Sequence, residues 1–255
     1  MAKTAVKTKK RPLKRTPSEW VLDICKVVFL SLVTIVTVYP FWNIFIVSIN
    51  DPTDAVRGGL YFWPRVFSVL SYKEILGRST FTHSILVTLA RTIIGTPLAL
   101  LCTSMVAYSL SRKELIGHKF WNVLFVFTMY FGGGQVPYYM VLKNLGLLDT
   151  FWVFIFPLIM SVYNMILIRS YIESMPDELF EAVKIDGGND LVVYWKIIIP
   201  LAKPILMTVA LFVAINQWNS WFDAYLYTSS ENLKPMQSTL VEILNQYNTG
   251  ATTSA

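Results

Sequence analysis

Five long stretches of this chain, 27–50, 92–111, 120–142, 150–168 and 204–222, contain no Asp, Glu, Lys or Arg. A helix needs about 20 residues to cross about 30 Å of hydrocarbon at about 1.5 Å per residue, and each stretch is roughly that long. The runs do not alternate apolar with polar residues, so barrel strands are a poor reading of them. Lipid leaves only helices or closed barrels with every backbone polar group paired. The predicted fold class is an all-α polytopic membrane protein with five transmembrane helices. Charged residues make up 15% of the chain against 54% hydrophobic ones, and they collect between the apolar runs.

Their distribution sets an orientation. Lys3, Lys7, Lys9, Lys10, Arg11, Lys14, Arg15 and Lys26 precede the first run. With that end inside, alternation puts Arg112, Lys113, Lys119, Arg169, Lys184, Lys196 and Lys203 inside too. Fifteen of the 22 Lys and Arg residues then face the cytoplasm, as the positive-inside rule requires. Residues 1–26 are predicted to be a basic cytoplasmic tail and 27–222 a transmembrane domain with a cytoplasmic loop at 169–203. Residues 223–255 are predicted to be a polar extracytoplasmic segment. The first run is too long for a signal-peptide core and is read as a retained anchor. The basic tail carries no interleaved aromatics, so it determines topology rather than binding nucleic acid. Cys25 and Cys102 do not make a disulfide framework.

Within the runs several residues stand out. Pro40 interrupts the first, and Tyr61, Phe62, Trp63 and Phe67 after it suit an interfacial aromatic belt. Arg91 borders the second, where it either lines a polar cavity or reaches the interface. Gly95 and Ala99 allow close helix packing. Gly132, Gly133 and Gly134, followed by Gln135, break the third run. Each glycine costs a helix about 1 kcal/mol relative to alanine. A break at membrane depth belongs in a cavity wall; a helix that simply ends at the interface is the alternative. Gln217, Trp218, Asn219, Trp221, Phe222 and Asp223 close the fifth run. They suit either an aromatic belt or sugar binding, with rings stacking on sugar C–H faces and amides meeting hydroxyls.

The island at 174–203 is the most informative segment. Ser174 to Glu178 offer a capping residue, a proline and first-turn acids, and Gly187 with Gly188 offers a left-handed stop. Between them lie Leu179, Phe180, Glu181, Ala182, Val183 and Asp186. A helix this short spans nothing. Surface helices on anionic lipid carry Lys and Arg, whereas this one has Asp177, Glu178, Glu181 and Asp186 against Lys184 alone. Docking of the helix into a groove of a protein partner suits the charge better, with Leu179, Phe180 and Val183 as pocket-filling groups.

The stretch 175–204 resembles the EAA loop of binding-protein-dependent ABC importer permeases. Glu181, Ala182, Asp186, Gly187, Ile197 and Pro200 match the motif. Val183 stands where the family prefers alanine, Gly188 where it often has a small residue, and Ile199 where it has leucine. Phe131 to Pro137, Leu145 to Thr150 and Trp218 to Ala224 look like segments of maltose-type carbohydrate permeases, in the branch that imports oligosaccharides or polysaccharide fragments. The resemblance implies the type I importer permease fold, here with five of the family's six helices and an apparent truncation before the last. It implies a non-catalytic subunit in a bacterial cytoplasmic membrane, with the loop coupled to an ATPase. The implied partners are a second permease in a heterodimer, two ATPase subunits carrying ATP and Mg, and an extracytoplasmic sugar-binding protein, all in or at the lipid bilayer. No two glycines have the spacing of a Walker A loop, so this chain holds no nucleotide cofactor of that kind. An ion-coupled secondary transporter of small solutes is the competing reading, resting on Arg91 and the glycine break.

Overall fold

The computed structural model describes residues 17–253; most of the predicted basic tail lies outside them. Within them the chain is helical apart from its connections and one isolated bridge. The thirteen α-helices are α1 (Pro17–Ser48), α2 (Pro52–Ala55), α3 (Leu70–Gly77), α4 (Ser79–Ser111), α5 (His118–Tyr130), α6 (Gln135–Asn144), α7 (Val162–Glu173), α8 (Glu178–Ile185), α9 (Asp190–Val193), α10 (Ile199–Leu201), α11 (Lys203–Asn219), α12 (Phe222–Tyr227) and α13 (Met236–Thr253). They form two units, divided after Leu76.

The first unit is α1 and the segment that folds back on its end. Over 32 residues α1 accommodates Pro40 without ending. Trp42 Nε1 donates to the Phe62 carbonyl at 3.2 Å, and the Trp42 and Trp63 rings meet edge to face at 6.5 Å. The aromatic cluster expected here as a belt is therefore partly a set of contacts to α1. Asp51 caps α2 by accepting from Thr53 N, and Arg65 ties the loop through Asp54 and the Gly58 carbonyl.

In the second unit α4 is the central strut. Its 33 residues reach about 50 Å and pack mainly against α11 and α7. Gly95 permits a close approach of α4 to α11: a β-carbon there would lie 2.9 Å from the Gln217 amide nitrogen. The larger core joins Ala107, Tyr108, Ile168, Ile172, Val193 and Tyr194 near one end of α4. A smaller one joins Val87, Leu142, Val153, Phe154 and Ala224 near the other.

Two single helices, α1 and α4, are long and apolar enough to cross a membrane. Two bent pairs reach that standard together: Phe151–Leu158 with α7 at 46°, and Asp190–Leu201 with α11 at 80°. The third apolar run, 120–142, is not a continuous helix. It stops after the 13 residues of α5, about 20 Å, and resumes in α6 beyond an extended Phe131 to Gly134. Gly134 holds φ +86° before α6, a conformation that residues with a β-carbon rarely adopt. Pro200 and Pro204 flank the sharper bend, where Tyr194–Ile198 is wound as a π-helix before Pro200 withholds its N–H.

Residues beyond Phe222 are more ordered than their polarity suggests. The Asp149 carboxylate accepts from the Ser229 and Ser230 backbone at 2.9 and 2.8 Å and from Ser230 Oγ at 2.6 Å. Those bonds, with Ser230 contributing most, hold its carboxyl below the usual aspartate range. Past that clamp, α13 docks on α4 through polar groups: Ser84 and Thr239 share a hydrogen bond of 2.8 Å, and Met236 N donates to Thr88 Oγ1.

Candidate functional site

The island folds as a short helix whose two faces differ. α8 begins at Glu178 with Asp177 at its N-cap position, although that side chain accepts no capping bond. Ser174 does not cap it either, because its hydroxyl donates back to the Tyr171 carbonyl at 2.6 Å. Glu178 and Glu181 remain in the first turn, where the helix dipole suits them.

The C-terminus needs both glycines, for different reasons. Gly187 N bonds the Lys184 carbonyl at 3.0 Å and Gly188 N bonds the Val183 carbonyl at 2.8 Å, the paired bonds of a Schellman motif. Gly187 takes φ +78°. Gly188 is required by space, since a β-carbon there would sit 2.5 Å from Val183 Cγ1 and 3.0 Å from the Val183 carbonyl oxygen.

Phe180 was expected to fill a partner's groove, but it points into this chain. It is 4% exposed within the larger core, under the Arg112 guanidinium at 4.7 Å. A large aromatic on the inner side of an amphipathic helix gains most where hydrocarbon already surrounds it. Arg112 also stands over Tyr108 at 5.6 Å, and the Tyr108 hydroxyl reaches Asp190 at 3.3 Å. Lys184 pairs with Glu114 at 2.9 Å and holds its carboxyl below the usual range, by hydrogen bond first and charge second. α8 is thus pinned from within to the end of α4 and its following loop. Glu178, Leu179, Glu181, Ala182, Ile185 and Asp186 are left exposed, and Ile185 is 85% exposed. Val183 and Gly188 are half-buried. Beyond the stop, Asn189 caps α9 by accepting from Val192 N, Ile197 is half-buried and Pro200 is exposed.

The residues expected to line a path separate into two groups. Arg91 is fully buried and donates four hydrogen bonds. Its Nη2 donates to Asp223 Oδ2 at 2.5 Å, its Nε to Gln217 Oε1 at 3.0 Å, and its Nη1 to the Ser220 carbonyl and Asp223 Oδ1 at 3.3 and 3.4 Å. The guanidinium also covers the Phe154 ring at 4.6 Å. Gln217 completes the node by donating to the Phe154 carbonyl at 3.2 Å. Gln217 and Asp223 are therefore engaged by Arg91, whose side chain is enclosed by protein. Asn219, Trp221 and Phe222 remain exposed and Trp218 half-buried. Gly132, Gly133 and Gly134 are exposed with open space around them, and Gln135 borders a shallow hollow with Tyr139 and Tyr227.

The sequence reading missed the stacking and hydrogen-bonding roles of Arg112 and Tyr108. The Arg112 stack depends on packing between distant segments and has no local mark.

Comparison with known proteins follows the same lines. Residues 66–255 match a family described as binding-protein-dependent transport system inner membrane component. Protein LplC of Bacillus subtilis is 35% identical over 231 residues, covering 91% of this chain and 78% of its own length. The polygalacturonan/rhamnogalacturonan transport system permease protein YtcP of the same organism is 36% identical over 216 residues, covering 85% and 76%. Among solved structures, a bacterial ABC transporter involved in the import of the acidic polysaccharide alginate aligns with a TM-score of 0.83 at 31% identity, over 90% of this chain and 82% of its own.

Proposed function

The chain belongs to the family of binding-protein-dependent transport system inner membrane components, and from that premise we propose how it works: as a permease subunit of an ATP-driven importer of oligosaccharides or polysaccharide fragments, coupled to its ATPase through α8. The saccharide class rests on the names of the similar proteins, which include a polygalacturonan and rhamnogalacturonan permease and an alginate importer. Family membership makes this a non-catalytic subunit of a membrane transport system. ATP and Mg belong to a separate pair of ATPase subunits, a second permease completes the pore, and a binding protein delivers the sugar. The N-terminus and α8 face the cytoplasm by the distribution of Lys and Arg.

The observation that carries the coupling reading is the two-sided anchoring of α8. Its inner face is fixed by Phe180, Arg112 and the Lys184–Glu114 pair, and its outer face leaves Glu181, Ala182 and Ile185 exposed beside acidic neighbours. An ATPase cleft closing on ATP would pull on that outer face. The inner contacts would carry the displacement into α4, and the bend at Ala202 would pass it to α11. The ATPase shifts the permease equilibrium only by as much as it binds the two states differently, and α8 is where that difference is applied. The ion-coupled alternative does not hold: Arg91, its main support, is neutralised by Asp223, and the family couples to a binding protein and not to an ion gradient. Sugar-stimulated ATP hydrolysis by the reconstituted transporter, with Glu181 and Gly187 altered, tests the coupling.

A further inference from the structure

We propose that Tyr194 is a positioning residue for energy coupling: its hydroxyl holds the π turn Tyr194–Ile198 against α4, and release of that bond lets the turn rewind as α when α8 is pulled. The proposal rests on the coupling reading above.

Ser104, Tyr108 and Arg112 stand four residues apart along the end of α4 and its cap, hence on one face. Each ties a different part of the loop. Arg112 covers the Phe180 ring, the Tyr108 O–H donates to Asp190 Oδ1 at 3.3 Å, and Ser104 Oγ meets the Tyr194 hydroxyl at 2.7 Å. The two hydrogen-bonded rungs differ in their access to water. Asp190 is exposed, whereas Ser104 and Tyr194 are each 1% exposed. Water replaces the Tyr108 bond when it opens but does not reach the one at Tyr194.

The direction of that inner bond is set by its neighbour. Ser104 Oγ gives its single hydrogen to the Leu101 carbonyl at 3.0 Å, so between the two hydroxyls Tyr194 is the donor. The Tyr194 ring is held separately, against Tyr108 at 5.8 Å and Trp195 at 5.1 Å. Removing the hydroxyl alone therefore keeps the ring packed and strands no donor on Ser104.

Tyr194 also opens a turn wound differently from its surroundings. Its carbonyl takes the N–H of Ile199, five residues on, whereas Ala202 N bonds the Ile198 carbonyl, four residues back, at 2.7 Å. The π winding is rare and confined mostly to single turns. Pro200 has no N–H to give the Lys196 carbonyl, so the α ladder is already interrupted here and a change of winding disturbs few bonds. Rewound as α, the Tyr194 carbonyl takes the Ile198 N–H instead, and the chain beyond turns about the helix axis. That rotation enters the bend at Ala202 and so reaches α11. With both buried hydroxyls paired, the π-wound arrangement is favoured while nothing pulls on α8. Leaving it breaks the Tyr194 bond, and differential binding of the ATPase supplies what that costs.

ATP hydrolysis by the full transporter in proteoliposomes, first without sugar, tests this. Tyr194→Phe makes the π-wound state easier to leave by one hydrogen bond, so the basal rate should rise about threefold to tenfold. The rate with tetragalacturonate and the binding protein should stay within about twofold of wild type, so stimulation falls by the factor that the basal rate gains. Ser104→Ala should raise the basal rate as well, and the double variant should exceed neither single one by more than about twofold, because both remove the same bond. Hydrogen exchange over 194–199 should quicken in Tyr194→Phe while that over 178–188 stays as it was, and co-purification of all subunits controls for assembly. An unchanged basal rate, basal and stimulated rates that fall together, or effects of the two single variants that multiply would each overturn the role of Tyr194. If wild-type hydrolysis ignores the sugar, the importer reading fails instead, and the sugar-free rates still decide whether Tyr194 holds the turn.

Discussion

Replacing Arg91 with Met should destabilise the folded chain by about 3–5 kcal/mol, the usual effect of removing one partner of a buried ion pair. The structure sets the direction of the finer comparison. Arg91 has a side-chain exposure of 0% and Asp223 of 16%. An orphaned Asp223 can recruit water, whereas an orphaned Arg91 cannot, so Asp223→Leu should be the more damaging single change. Arg91→Lys should fall between wild type and Met. One ammonium cannot reach Gln217 Oε1, the Ser220 carbonyl and both Asp223 oxygens as the guanidinium fork does. The double variant Arg91→Met with Asp223→Leu removes both charges and should recover most of the loss, giving a coupling energy of at least about 2 kcal/mol. Denaturant titration of the solubilised transporter, followed by tryptophan fluorescence, measures all four species. A coupling energy below about 1 kcal/mol, or a double variant no better than the worse single one, would show that the node does not hold α4, α11 and α12 together.

Other consequences follow from the island. Gly188→Ala should disrupt the end of α8 more than Gly187→Ala, because the first meets Val183 at 2.5 Å while the second bears a left-handed φ of +78° that costs about 1 kcal/mol; hydrogen exchange along 178–188 separates them. Phe180→Ala should cost about 3–5 kcal/mol of stability and also weaken ATPase stimulation, since it empties the buried side of the coupling helix. The Glu114–Lys184 pair lowers the folded-state pKa of Glu114, so its contribution is present above the unfolded carboxylate pKa and is lost as pH falls through the depressed folded value. Exchange protection of α8 should therefore be flat from neutral pH to the ordinary glutamate range and decline only below it, and Glu114→Gln should remove that decline.

How much of this was legible in the sequence depends on whether a feature is local. The apolar runs, the glycine break in the third, and the helix bounded by Glu178 and Gly187 follow from composition and turn chemistry within a few residues. The fate of Phe180 does not, because an amphipathic helix offers an apolar face without saying whether its own chain or another covers it. Arg91 has the same difficulty: its partners Gln217, Ser220 and Asp223 are 126 to 132 positions away. The 236–253 helix escaped because its contacts to α4 are made by Ser84, Thr88 and Thr239, and packing of that kind leaves no apolar period to read.

The most direct test of the central claim is sugar-stimulated ATP hydrolysis in proteoliposomes holding the full transporter, before and after Glu181→Ala combined with Gly187→Pro. Proline removes the Gly187 N–H that bonds Lys184 and cannot take φ +78°. If α8 is the coupling element, stimulation disappears while the subunits still co-purify. If hydrolysis remains sugar-dependent at its original rate, α8 is only a surface helix and the coupling account is wrong.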